Sequence, residues 1–239
     1  MKGSELNPIC VWNMIHNKEM PEKMSAADRV YAKVRHDIVF LHLKPGQLIK
    51  EKQVIDEMGV SRTPVREAFL RLEKEHLLEI RPQSGTMVSP IRLSRIRDAQ
   101  FLRTSLEFAA AKKLMQQSNG KLLEPLQDII DEQEFCYEHE RFEQFVLLDN
   151  DFHRLFFELI GHQEIWKMLE SARAHLDRIR FMFLPNKDHL QEVLAEHRII
   201  LKAIAEGDEK TLSTSMQDHL NKSEDLALEL SKTSPEFFI

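Results

Sequence analysis

Two cysteines, Cys10 and Cys136, are all that the 239 residues contain. They are too few and too far apart for a disulfide framework, which fits a reducing cytoplasm. Seven glycines and two tyrosines, set beside long stretches rich in Leu, Ala, Glu and Lys, predict a mainly helical chain. No run of about 18 apolar residues occurs, so no membrane-spanning helix is expected. The first residues lack a basic head followed by an apolar core, so no secretion signal is expected either, and the predicted location is cytoplasmic. The length admits two modest domains or one large one.

A net charge of −6 argues at first against nucleic acid, but the charge is divided unevenly. Residues 24–97 hold 14 Lys and Arg against 9 Asp and Glu, a net of +5, while residues 98–239 hold 16 against 27, a net of −11. Only the front part suits phosphate electrostatically.

Within that basic part, Val65, Ala68, Phe69 and Leu72 fall at i, i+3, i+4 and i+7 and predict a helix with one buried stripe. Arg62, Thr63 and Arg66 are left on the opposite face. Pro64 suits a first turn, and either Ser61 or Thr63 is placed to cap the free amides. Arg and Thr at a helix start suit a duplex, because orphan amides take phosphates and Arg reaches guanine edges bidentately. An amphipathic surface helix with two solvated arginines is the plain alternative. The flanking pattern favours the first reading. Ile49 to Met58 forms a second short amphipathic helix closed by Gly59. Leu77–Ile80 and Thr86–Val88 read as two strands joined by Arg81-Pro82-Gln83-Ser84-Gly85, which makes a winged helix-turn-helix with Gly85 at the wing tip. A preceding helix over 26–43 carries Val30, Val34 and Ile38 on one face.

Pro45-Gly46-Gln47-Leu48, Gly59 through Ala68, Arg71-Leu72-Glu73 and Gly85-Thr86-Met87-Val88 resemble, in order and spacing, the N-terminal domain of GntR-family transcriptional regulators. The resemblance implies DNA contacts by Lys52, Ser61, Arg62, Thr63, Arg66 and Gly85. Family members often have Arg at the position of Lys52, and a lysine holds phosphate as a point charge.

Residues 1–23 read as an N-terminal extension, 24–90 as the winged domain, 91–97 as a hinge, 98–232 as a helical domain and 233–239 as a tail. About six helices are expected in the back half, over 93–117, 121–139, 141–160, 163–184, 187–206 and 208–231, forming a bundle rather than a coiled coil. Three of them interrupt their apolar stripes with metal-type ligands. Asp149 and His153 lie at i, i+4 on the face of Phe142, Val146, Phe156 and Ile160. His197 shares the stripe of Val193, Ile200 and Ile204, and His219 lies among Leu212, Met216, Leu226 and Leu230. Each buried alone is more often a hydrogen-bonded core residue. His175 and His189 fit inward faces equally well, so periodicity does not select the set, while His139 and His162 are expected to be exposed.

Asp149-Asn150-Asp151-Phe152-His153, Glu196-His197-Arg198 and Asp218-His219-Leu220 resemble the three motifs of the FCD effector domain in the FadR-type branch of that family. The resemblance implies a divalent metal, usually zinc and sometimes nickel or manganese, on Asp149, His153, His197 and His219. Arg103, in Arg103-Thr104-Ser105-Leu106-Glu107, matches a family pattern; it pairs either with an organic acid effector or with Glu107 one turn later. Arg178 and Arg180 have no place assigned by sequence. The leading expectation is a homodimeric regulator binding a palindromic operator under control of a small carboxylate. The alternatives are a metal-dependent hydrolase, with Glu196 or Asp218 as base, and a regulator that senses the metal itself.

Overall fold

The computed structural model describes residues 24–81, 85–117, 120–183 and 186–239; of Ser171 only the backbone is described. The expected extension, most of the wing loop and the breaks at 118–119 and 185 lie outside the described residues. The chain divides into two compact units, one running up to Ile91 and including Glu236–Ile239, the other comprising Arg92–Pro235.

The first unit is built on α1 (Ala26–Val39), α2 (Glu51–Met58) and α3 (Arg62–Lys74) with a small antiparallel sheet. Val30, Val34 and Ile38 of α1 are buried, as are Val65, Ala68, Phe69 and Leu72 of α3, so the two stripes read from the sequence form the core of this unit. Helix α1 ends four residues before the expected position, because the chain turns at Leu41, which takes a positive φ of 62°. Helix α2 starts at Glu51 rather than Ile49: Leu48–Ile49 is a strand, β1, a third strand that the sequence reading lacked. It pairs with β3 (Gly85–Val88), which pairs in turn with β2 (Leu78–Arg81), giving the order β1-β3-β2. Gly59 closes α2 in the left-handed region at φ 63°, a backbone that Gly adopts without steric penalty. The last residues belong to this unit too. Ile91 N–H donates to Phe237 O at 2.7 Å, and Ile239 N–H donates to Ile91 O at 3.0 Å.

The second unit consists of α4 (Leu93–Gln117), α5 (Glu124–Glu138), α6 (Phe142–Leu159), α7 (Gln163–Met182), α8 (Lys187–Glu206) and α9 (Glu209–Thr233). Helix α5 starts three residues later than expected, after a 3₁₀ turn over Gly120–Leu123. Pro125, which lacks an amide hydrogen, sits comfortably only in a first turn, and here it is the second residue of the helix. The α8–α9 turn is tight. Gly207 caps α8 at φ 71°, and the Asp208 side chain accepts from Thr211 N–H at 3.1 Å to cap the start of α9. His197 and His219 stand at nearly equal distances from this turn, so the hairpin carries them to the same level.

Candidate functional site

On the first unit lie the residues expected to meet DNA. Lys52, Ser61, Arg62, Thr63, Arg66 and Gly85 are all exposed. Ser61 holds the N-cap position of α3 but makes no side-chain cap, so the expected hydroxyl capping does not occur and the first amides of α3 are not closed by it. Glu51, at the start of α2, reaches across to both arginines: its Oε2 accepts from Arg62 Nε at 2.9 Å, and its Oε1 lies 3.6 Å from Arg66 Nε.

In the second unit the structure brings Asp149, His153, His197 and His219 together. All four are buried, and they offer ligand atoms that lie within 4.8 Å of one another. Helix α6 supplies Asp149 and His153 from one face, α8 supplies His197 and α9 supplies His219. The rings are held from behind. His197 Nδ1 donates to Gln133 Oε1 of α5 at 2.8 Å, and His219 Nδ1 donates to Glu196 Oε2 at 2.9 Å. His153 Nδ1 lies 2.8 Å from Glu107 Oε2 of α4, at ion-pair distance though not aligned as a hydrogen bond.

These partners are oxygens that only accept, so Nδ1 of each ring carries a proton and Nε2 is the atom turned inward. The Nε2 atoms of His153 and His219 stand 3.0 Å apart, while His197 Nε2 lies 3.4 Å from Asp149 Oδ1 and makes no hydrogen bond. Burial lowers the His197 pKa to about 3; burial, together with the nearby Arg103 charge, holds His153 well below its usual value. Both rings are therefore neutral at pH 7, and each keeps an Nε2 lone pair that can bind a cation. The donor set, three imidazoles and a carboxylate, fits a first-row divalent ion. Burial alone would raise the Asp149 pKa, but the Arg180 guanidinium beside it leads the opposing interactions and holds the carboxyl well below its usual range.

Among the arginines of this unit, sequence reasoning gave Arg103 two possible partners, left Arg178 and Arg180 unplaced and missed Arg173. Arg180 of α7 pairs with Asp149 Oδ2, and donates to Asn150 Oδ1 at 2.7 Å and Asp177 Oδ1 at 3.1 Å. Arg173 donates to the same Asn150 oxygen and lies 3.8 Å over the Trp166 ring. Arg178 is fully buried. Arg103 donates to Glu107 at 2.9 Å, so the one-turn salt bridge forms, yet its Nη2 is buried without a hydrogen-bond partner. Gln133, Arg173 and Asp177 carried only one signal in the sequence, a polar residue on an otherwise apolar helical face.

His189 is half-buried, His175 is buried outside the ligand set, and His162 is half-buried rather than exposed, with its Nε2 2.7 Å from Lys113 Nζ. His36, Asp37 and His42 in the first unit also bring ligand atoms together, but Lys33 already engages the Asp37 carboxylate, and that neighbouring charge disfavours a cation.

An exposed arginine-bearing helix beside a three-stranded antiparallel sheet, followed by a helical unit with a buried ligand-type cluster, is an architecture suited to a two-part DNA-binding protein. The comparisons with known proteins give the same class. Residues 26–88 match the family described as bacterial regulatory proteins, gntR family, and residues 98–222, more than half of the chain, match the FCD domain. The chain belongs to the gntR family of transcriptional regulators and carries an FCD domain. It is 34% identical over 209 residues to an uncharacterized HTH-type transcriptional regulator in an unstable DNA locus of Streptomyces ambofaciens, covering 87% of this chain and 88% of that one. It is 29% identical over 210 residues to the HTH-type transcriptional repressor RspR of Escherichia coli strain K12, covering 88% and 92%. Two solved structures share the fold, each with a TM-score of 0.74: a transcriptional regulator from Rhodococcus sp. RHA1 at 20% identity, covering 86% of this chain and 99% of that one, and E. coli McbR/YncC at 19%, covering 88% and 100%. The relatives are regulators and not enzymes, which removes the hydrolase alternative. No helix among the described residues is long and apolar enough to cross a membrane.

Proposed function

We propose that this DNA-binding regulator responds to a small organic acid that enters the helical domain beside a divalent metal held by Asp149, His153, His197 and His219. The observation that carries the reading is the convergence of three imidazoles and one buried carboxylate, whose ligand atoms lie within 4.8 Å of one another. Zinc, nickel or manganese is chemically suited to the set, and the ion supplies a Lewis-acid anchor for a carboxylate when bound. Arg103, whose Nη2 has no partner among the described residues, and Arg180 supply the guanidinium edges that orient such an anion. Gln133, Glu107 and Glu196 keep the three rings turned inward.

In this reading the protein acts as a homodimer on a palindromic operator, with Lys52, Ser61, Arg62, Thr63, Arg66 and Gly85 meeting the duplex. The acid shifts operator affinity by binding one dimer geometry better than another. The test is thermal-shift screening of small carboxylic acids on metal-loaded protein, with Asp149→Ala as control, followed by DNA titration with each hit. A panel that stabilises wild type and variant equally removes the effector site from the cluster. A change in DNA affinity produced by metal alone would make the cation itself the signal.

A further inference from the structure

The contact that the function leaves unused is the one between Glu51 and the two exposed arginines of α3. A single carboxylate, on the first residue of α2, serves both guanidinium groups through different oxygens, at 2.9 Å to Arg62 Nε and 3.6 Å to Arg66 Nε. The Arg62 and Arg66 side chains are 66% and 60% exposed and that of Glu51 27%. Pairs this exposed contribute little to stability. The arrangement therefore matters for what the arginines do, not for holding the fold.

We infer that Glu51 is a specificity-determining residue of the DNA interface. The inference rests on the proposed contacts of Arg62 and Arg66 with the duplex. Two consequences follow from the geometry. The carboxylate takes the Nε edge, so the Nη groups are left to form the two parallel hydrogen bonds that guanine O6 and N7 accept. The carboxylate also halves the charge that the pair presents. Phosphate attraction is independent of sequence, so trimming it weakens binding to arbitrary DNA more than binding to a matched base edge. Glu51 thereby raises the ratio of specific to non-specific affinity. An acid in the first turn of α2 also favours the helix dipole, and that merely structural role is separated by the choice of variants.

The experiment uses the full chain as wild type, Glu51→Gln, Glu51→Asp, Arg62→Ala and Arg66→Ala. Each is passed through selection from a random-sequence duplex library, and each is titrated onto one arbitrary duplex at several salt concentrations. Glu51→Gln is expected to bind the arbitrary duplex about three- to tenfold more tightly, with a salt slope steeper by up to ~1. Its selected sequences should lose about tenfold in discrimination at the bases that Arg62 and Arg66 read. Glu51→Asp keeps the charge and the helix-start acid but draws back by one methylene, so base preference weakens while the salt slope stays at the wild-type value. A Glu51→Gln protein that selects the wild-type motif with the wild-type salt slope overturns the inference. If Arg62→Ala and Arg66→Ala both select that motif too, the contact reading beneath it falls as well; loss of the motif in either one confines the failure to Glu51.

Discussion

His153, His197 and His219 share one arrangement, a ring whose outer nitrogen faces an oxygen of a neighbouring side chain and whose inner one faces the cluster. Removing any one leaves the others as buried, uncompensated dipoles around Asp149. Asp149→Ala or His197→Ala should therefore weaken zinc binding at least about 100-fold, whereas Gln133→Ala or Glu196→Ala, which only release a ring, should weaken it about 10- to 100-fold. Competition with a chromophoric chelator reads both; equal affinity in wild type and His197→Ala excludes the cluster as the metal site. The same histidines predict a pH dependence. The folded-state pKa of His197 lies at about 3 and that of His153 is also lowered, both below the unfolded value near 6.5. The unfolded chain therefore binds protons that the folded one refuses. Stability of the metal-free protein is complete above about pH 6.5 and falls with decreasing pH toward 3, with a slope of up to about 1.4 kcal/mol per pH unit for each such histidine. Urea melts at pH 7, 6, 5 and 4 check it, and a flat midpoint would mean that the rings are not buried neutral.

Among the elements, α3 has the clearest division of labour. Its inner stripe of Val65, Ala68, Phe69 and Leu72 is buried, and its outer face presents Arg62 and Arg66. Phe69→Ala should destabilise the protein by about 3–5 kcal/mol, because the void cannot close around a fully packed ring. Urea unfolding measures this, and a loss under 1 kcal/mol would contradict the packing. On the neighbouring helix α2, Lys52→Ala should weaken binding to all duplexes alike and reduce the salt slope by about 1, since a lysine–phosphate contact carries no base information. Salt titrations on two unrelated duplexes decide it. If the variant loses affinity for only one of the two, Lys52 reads sequence. At this scale most of the architecture was legible. The stripe of α3, the break at Gly207 and the shared face of Asp149 and His153 are all written within a few residues of one another. Helix ends were less legible where a single backbone torsion decided them, as at Leu41. The two-residue strand Leu48–Ile49 is shorter than any period, and only its partner in β3 makes it a strand.

For the molecule as a whole, the separation of charge between front and back is set by composition and needs no coordinates. So is the pattern that puts carboxylate and imidazole on apolar helical faces, since a polar residue there must find a partner or bear the cost of desolvation. What residue order does not contain is which partner. Periodicity treats His175, His189 and His219 alike, and only the packing of α9 against α8 turns His219 toward His153 while His175 lies elsewhere. Arg180 meets Asp149, Gln133 meets His197 and Glu196 meets His219 across 31, 64 and 23 residues of chain. The chain alone determined the helices, their buried faces and the basic surface, because those follow from contacts one turn long. The tertiary structure decided which polar groups share a centre, and that one carboxylate, Glu51, holds both exposed arginines. Such pairings depend on distances between helices that no local spacing encodes.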